Sequence, residues 1–238
     1  LDLLVILFHN YSLFSVLQVS NVHKKYGSLE VLKGINLTIG TGEVVSIVGA
    51  SGAGKSTLLH ILGTLDGADS GEVLFDGNNI ARLNATELAR FRNRHIGFIF
   101  QFHNLLPEFT AVENVCLPGF LAGRNEKEVT ERAKELLAML NLSHRLNHKP
   151  SEMSGGEQQR TAVARALINS PRIIFADEPS GNLDSKNAQE LHDIFFRLRD
   201  EFNQTFVIVT HNEQLASMAD RTLVMKDGQI VQEVLSEG

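Results

Sequence analysis

"EVVSIVGASGAGKSTLLHILGTL", residues 43–65, joins a short apolar run, a glycine-rich turn and a stretch with helical apolar spacing. The opening "EVVSIVG" reads as a strand buried on both faces, because a half-exposed strand alternates apolar with polar residues. Between this strand and the helix, Gly49 to Ser56 fit the spacing G-x-x-x-x-G-K-[S/T] in the context that gives it chemical meaning. Glycines at 49, 52 and 54 let successive backbone N–H groups turn inward on an anion, and the helix start adds its partial positive charge. Gly49, Ala50, Ser51, Gly52, Ala53, Gly54, Lys55, Ser56 and Thr57 are therefore the candidates to hold the phosphates of a nucleotide. Lys55 is expected to reach the β and γ phosphates and Ser56 to bind Mg²⁺. The rival reading is a glycine-rich structural turn.

On either side of this unit the pattern is strand-rich, then helical, then mixed. "LQVSNVHKKY" and "VLKGINLTI" read as strands, and Asp76-Gly77 in "EVLFDGNNI" marks a hairpin, so antiparallel strands are expected beside a parallel sheet. From about 85 to 168 the sequence turns helical, with Val129, Ala133, Leu136, Leu137 and Leu140 on one helix face. "RIIFAD", "NAQELHDIFFRLRDEF" and "TFVIVT" read as strand, helix, strand, with Leu191, Ile194, Phe195 and Leu198 facing inward, and a second Asp-Gly hairpin closes the chain. With 238 residues, one large domain with a subdomain is expected. Hydrophobic content of 43% and charged content of 21% describe a soluble globular chain, and no run of about 18 apolar residues is present to span a bilayer. A net charge of -6 supplies no general field for nucleic acid. The single cysteine, Cys116, excludes an internal disulfide and fits a reducing, cytoplasmic setting, with its thiol buried. The first stretch, "LDLLVILFHNYSLFSV", lacks a basic start and an A-x-A-like cleavage site, and is expected to be an extension from a non-standard start, with the domain proper at 17–238.

Two further stretches carry chemistry. "IIFADEP" puts Asp177 and Glu178 just past a buried strand, where open α/β sheets bind ligands. Asp177 is expected to hold Mg²⁺, and Glu178 to act as general base on the attacking water, against the plainer reading of a solvated acidic pair. "SEMSGGEQQR", residues 151–160, has a capping box in Ser154 and Glu157, yet Gly155 and Gly156 each cost a helix about 1 kcal/mol relative to alanine. Uncapped N–H groups at such a helix start form a second anion site, while one nucleotide's phosphates already have a cradle. Two chains about a two-fold axis could then sandwich two nucleotides.

Together, "GASGAGKST", "SGGEQQR", "IIFADEP", "SGNLD" and "VTH", in this order over about residues 17 to 235, resemble the ATP-binding subunits of ABC transporters. The resemblance implies an α/β fold with a P-loop NTPase core, a largely parallel sheet, an antiparallel β subdomain and a helical subdomain inserted at about 88–168. It also implies that Tyr26 stacks on adenine and that Gln101 senses the γ-phosphate and Mg²⁺. Ser154, Gly155 and Gly156 then contact the γ-phosphate held by a second copy, Asp184 communicates across the homodimer, and His211 holds the γ-phosphate. The common signature is L-S-G-G-Q, whereas this chain has Met153 and Glu157; the capping box is expected to turn the Glu157 carboxylate back toward the helix start.

Among such subunits, "FIFQFHNLLPEFTAVENVCLP" with "ADEPSGNLD" looks most like the ATPases of lipoprotein-releasing systems, with macrolide-exporter and cell-division relatives close behind. That implies a peripheral subunit on the cytoplasmic face of the bacterial inner membrane, docked by integral membrane subunits near residues 101–115. Thr110 and Glu113 form another capping box before "AVENVCL". Of Phe102, Leu105, Leu106 and Phe109, half are expected in the helical core and half exposed to a cytoplasmic helix of the membrane partner. A soluble ABC ATPase of DNA repair or translation needs a long coiled coil or a second cassette, and a P-loop kinase or switch GTPase leaves "SGGEQQR" unexplained.

Overall fold

In the computed structural model, which describes residues 15–236, β1 (Ser15–Tyr26) and β2 (Leu29–Gly40) form an antiparallel ribbon that joins β4 (Ser70–Phe75) and β5 (Asn78–Asn79) in one sheet, ordered β2-β1-β4-β5. The hairpin between β4 and β5 turns on Asp76 and Gly77, both at positive φ, which suits the twist of the strands it connects. The second sheet contains β3 (Val44–Val48), β6 (Ile96–Phe100), β7 (Ile173–Asp177), β8 (Thr205–Val209), β9 (Arg221–Lys226) and β10 (Gln229–Leu235), ordered β10-β9-β3-β8-β7-β6. Every neighbouring pair in it is parallel except β9 with β10, the hairpin at Asp227-Gly228.

The central strands β3, β7 and β8 are buried on both faces, and the alternation along β7 and β8 builds two cores. Ile173, Phe175, Val207 and Val209 point to one side, toward α1 (Lys55–Leu62) and the antiparallel sheet. Ile174, Ala176, Phe206 and Ile208 point to the other, where α3 (Ala111–Leu121), α4 (Glu126–Met139), α5 (Gly155–Leu167) and α6 (Ser185–Phe202) pack. Burying each of the Ile, Val and Phe side chains stabilises the fold by about 1.5–3 kcal/mol, which is why short strands of five residues hold their places here. The remaining helices, α2 (Ala85–His95) and α7 (Glu213–Met218), sit before β6 and after β8.

Two readings of the sequence need correction. The stretch from 88 to 168 is not helical throughout, because "IGFIF" forms the edge strand β6, paired in parallel with β7. Five apolar residues directly after a helix carry no period of their own, and neighbouring β7 decides their state. The three helices α3, α4 and α5 form the inserted helical block after it. Nor does the fold begin at Leu17: β1 starts at Ser15, Val16 is fully buried, and its carbonyl accepts the Asp76 N–H at 3.0 Å. The reading of the first stretch as an extension otherwise concerns residues 1–14, which lie outside those described.

Candidate functional site

The glycine-rich turn leaves β3 at Gly49, whose φ of 151° and closeness to β9 both exclude a side chain: a Cβ there would stand 2.2 Å from the Met225 carbonyl oxygen. The turn ends at Gly54, the N-cap of α1, which has no side chain to satisfy the first N–H groups, so they remain directed at the concave face of the turn. Lys55 is only 6% exposed, and its Nζ donates to the carbonyls of Gly49 at 2.8 Å and Ala50 at 3.0 Å. Its ammonium thus lies in the cup formed by Ala50, Ser51, Gly52 and Ala53, with Ser56 and Thr57 next on the helix. Ser56 Oγ donates to Asp177 Oδ1 at 3.2 Å, which joins the first turn of α1 to the carboxyl end of β7.

Glu178 follows Asp177 but is not extended. Its φ of 47° turns the chain sharply, its N–H donates to the Val209 carbonyl of β8, and its carboxylate faces the segment after β8. There the His211 N–H donates to Glu178 Oε2 at 3.1 Å, and His211 Nε2 lies 3.1 Å from Oε1. Asp177 and Glu178 therefore diverge through a backbone turn rather than through strand alternation. Gln101, just past β6, donates through Nε2 to Asn182 Oδ1 at 3.0 Å, and Asn182 returns a bond to the Gln101 carbonyl at 3.2 Å. Lys55, Ser56, Gln101, Asp177, Glu178 and His211 thus cluster at one end of the parallel sheet through linked contacts. Tyr26 ends β1, 51% exposed, with its hydroxyl donating to Asp66 Oδ2 at 2.6 Å.

Ser154 caps α5 as its sequence suggests. Its Oγ accepts the Glu157 N–H at 3.3 Å and its own N–H donates to Glu157 Oε2 at 2.8 Å. The other Glu157 oxygen accepts from Arg145 Nε at 2.8 Å. Burial alone raises this carboxyl, but the Ser154 N–H and the Arg145 guanidinium outweigh it and bring it down to about 2. The negative charge at the signature is therefore tied down inside the chain. The two glycines part ways here. A Cβ on Gly156 would stand 2.0 Å from Asn187 Oδ1, whereas one on Gly155 would meet nothing nearer than Leu183 Cδ2 at 3.7 Å. The idea that both glycines clear space for an outside anion is narrowed to Gly155, since Gly156 has an internal reason. Asn187 itself is held by Asp184, the N-cap of α6, whose carboxylate accepts its N–H at 2.9 Å and its Nδ2 at 2.7 Å; these bonds keep the Asp184 carboxyl below the usual range.

Several contributors went unread in the sequence. Gln159 on α5 is fully buried; its Nε2 donates to the Pro179 carbonyl at 2.6 Å and the Phe100 carbonyl at 3.3 Å, and His103 Nδ1 donates to its Oε1. One amide thus binds the segments beside Gln101 and Glu178 to the signature helix. Its signal was a polar residue on the helix face shared with Ala162, Val163 and Ala166. Arg165, six residues farther along the helix, donates to the carbonyl of His103 at 2.7 Å and to that of Asn104, holding two successive residues at positive φ. His60, four residues after Ser56 on α1, brings Nε2 to 4.0 Å from Asp177 Oδ2. His192 is buried against Ser180 Oγ at 3.1 Å, and burial pushes its imidazole down toward the neutral form.

The loop after Gln101 departs from expectation. Phe102 is 75% exposed, Leu106 and Phe109 are also exposed, and Leu105 is half-buried, so none of the four enters the core. What fixes this loop is Asn114 on α3, fully buried, which accepts the Leu106 N–H at 2.7 Å and donates to the carbonyls of Leu106, Phe109 and Thr110. Cys116 is free and buried, and burial pushes its thiol up.

Comparison with known proteins agrees with this geometry. The family model described as ABC transporter matches residues 32–181. The chain is 62% identical over 216 residues to the lipoprotein-releasing system ATP-binding protein LolD of Cytophaga hutchinsonii, covering 91% of this chain and 99% of that protein. It is 60% identical to the protein of the same name from Bacteroides fragilis, covering 91% and 100%. Among solved structures it is similar to a dimeric ATP-binding cassette in a post-hydrolysis state bound to ADP and Pi, with a TM-score of 0.85 and 43% identity over 93% of this chain and 99% of that one.

Proposed function

Because this chain belongs to the ABC transporter family as an ATP-hydrolysing subunit, we propose that it dimerises with a second copy around two ATP and drives integral membrane subunits to release lipoproteins from the bacterial inner membrane. The observation that carries the ATPase part is the convergence of Lys55, Ser56, Asp177, Glu178 and His211 at the carboxyl end of one parallel sheet. The lipoprotein part rests on relatives of that name at 50–62% identity from several bacteria. The dimer is supported by the two-chain cassettes to which this fold is similar.

In this reading the backbone N–H groups of residues 49–57 hold the phosphates, and Lys55 exchanges the carbonyls of Gly49 and Ala50 for β and γ oxygens. Ser56, Asp177 and Gln101 would hold Mg²⁺; the hydroxyl, carboxylate and amide oxygens are the hard donors that ion favours, and Ser56 and Asp177 already approach to 3.2 Å. Bound there, the ion would neutralise phosphate charge. Glu178 takes the proton of a water that attacks the γ-phosphorus, the bond to the β-phosphate oxygen breaks, and ADP and phosphate leave. His211 both steadies the Glu178 carboxylate and binds the γ-phosphate, while Tyr26 stacks on the adenine. Ser154 and Gly155 present the start of α5 to the γ-phosphate in the second copy, with Gly156 packed behind and Asp184 at the shared face.

No helix among the described residues is long and apolar enough to cross a membrane; in this reading the chain is a peripheral subunit on the cytoplasmic face, held there by the membrane subunits. Phe102, Leu106 and Phe109, exposed on a loop pinned by Asn114, offer the membrane subunits an apolar contact within residues 101–115. The experiment is reconstitution with the membrane subunits in liposomes carrying a lipoprotein. Release is expected to require ATP and to stop with Glu178→Gln; release at the normal rate by that variant would overturn the proposal.

A further inference from the structure

The two ends of the nucleotide site are connected by a route outside the phosphate cradle. α1 begins with Lys55, Ser56 and Thr57 and ends beside a turn in which the His60 carbonyl accepts the N–H groups of Leu65 at 2.8 Å and Asp66 at 3.2 Å. From that turn Asp66 reaches across to β1. Its Oδ2 accepts the Tyr26 hydroxyl at 2.6 Å and its Oδ1 accepts Lys24 Nζ at 2.8 Å. Lys24 is 8% exposed, donates a second bond to the Gly67 carbonyl at 2.7 Å, and stands 5.1 Å from the centre of the Tyr26 ring. A half-exposed tyrosine at a strand end ordinarily keeps its rotamer freedom. Here the ring is held at its tip by a carboxylate and flanked by a cation that the same carboxylate fixes.

The geometry points to Asp66 as a positioning residue that presets the Tyr26 ring, through its hydroxyl, as the stacking platform for the base of the bound nucleotide, in register with the phosphate cradle at the other end of α1. This rests on the reading of Tyr26 as the adenine contact. The Lys24 ammonium and the Tyr26 hydroxyl hold the Asp66 carboxyl below the usual carboxylate range, so it remains a charged acceptor at neutral pH. A ring already ordered need not be immobilised when ATP binds, which is worth roughly two- to tenfold in affinity. The Tyr26 hydroxyl also interacts with the Thr57 side chain at the edge of the cradle, but the phosphates are held there by backbone N–H groups and Lys55, so loss of the tether should not alter the hold on a phosphate chain alone.

The test measures ATP and inorganic tripolyphosphate binding to the full chain by calorimetry. Tyr26→Phe keeps the ring and its packing volume but removes the hydroxyl, and is expected to weaken ATP roughly two- to tenfold while tripolyphosphate binding stays at the wild-type value. Asp66→Ala should weaken ATP by a similar factor, and adding it to Tyr26→Phe should cost little more, since both remove one contact. Equal loss from Asp66→Ala in either background, or a parallel loss of tripolyphosphate, would make Asp66 a structural staple and overturn the inference. If Asp66→Ala does not fold, with Lys24 left unpaired, the Tyr26→Phe measurements decide alone. Tyr26→Ala separates the two ideas: wild-type ATP affinity in it removes the stacking reading itself, whereas weak binding in Tyr26→Ala with normal binding in Tyr26→Phe removes only the tether.

Discussion

At the scale of single residues, Lys55 and Glu178 divide binding from chemistry. Lys55→Ala deletes the one ammonium in the phosphate cup, and the loss of a charge-assisted bond of about 1.5–3 kcal/mol predicts ATP binding roughly 10- to 100-fold weaker by calorimetry. Glu178→Gln keeps the side-chain shape but not the base, so hydrolysis should fall by roughly 10²-fold or more while ATP binding persists. Glu157 gives a pH-dependent prediction. Its carboxyl drops from 4.5 to about 2 on folding, so its contribution is full above pH 4.5 and is lost as pH falls through about 2. Glu157→Gln keeps the capping box but not the Arg145 pair; urea melts should show it less stable than wild type at pH 7, with a gap that narrows steadily at pH 3 and below. Residue chemistry was largely legible where it is local. Gly49–Thr57 and both capping boxes could be read because their partners lie within a few positions, whereas Asp66, His60 and Gln159 act on residues 20 to 117 positions away and carry no local signature.

At the scale of elements, periodicity recovered the strands with turn residues at their ends and the helices with one apolar face. It missed β6, where "IGFIF" follows α2 with no intervening turn and becomes a strand only through pairing with β7. It also misjudged the loop at 102–109, since a count of apolar residues suggests burial, but the fully buried Asn114 holds the backbone and leaves the side chains out. The signature helix is the element that binds these parts together. Gln159→Leu should strand the Pro179 carbonyl and free the backbone beside Gln101 and Glu178, lowering stability by about 1–3 kcal/mol in urea melts and slowing hydrolysis as well. Gly156→Ala should destabilise the chain, because Asn187 must shift and with it the cap that Asp184 gives α6.

At the scale of the whole molecule, the central claim is that the start of α5 works on the nucleotide of a second copy. Gly155 makes this testable because the chain itself has room there: a Cβ at this position meets nothing nearer than Leu183 Cδ2 at 3.7 Å, and a carboxylate in the first turn suits the helix dipole. The isolated chain should therefore lose no stability and should keep its ATP affinity. In the assembly the same carboxylate stands where a phosphate must approach. The direct measurement is molecular mass by light scattering in saturating Mg-ATP, for Glu178→Gln and for Glu178→Gln with Gly155→Asp, alongside ATP binding by each. The expected result is a dimer for the first and an ATP-bound monomer for the second. A monomer for Glu178→Gln, a dimer for the double variant, or loss of ATP binding in the double variant alone would contradict the account.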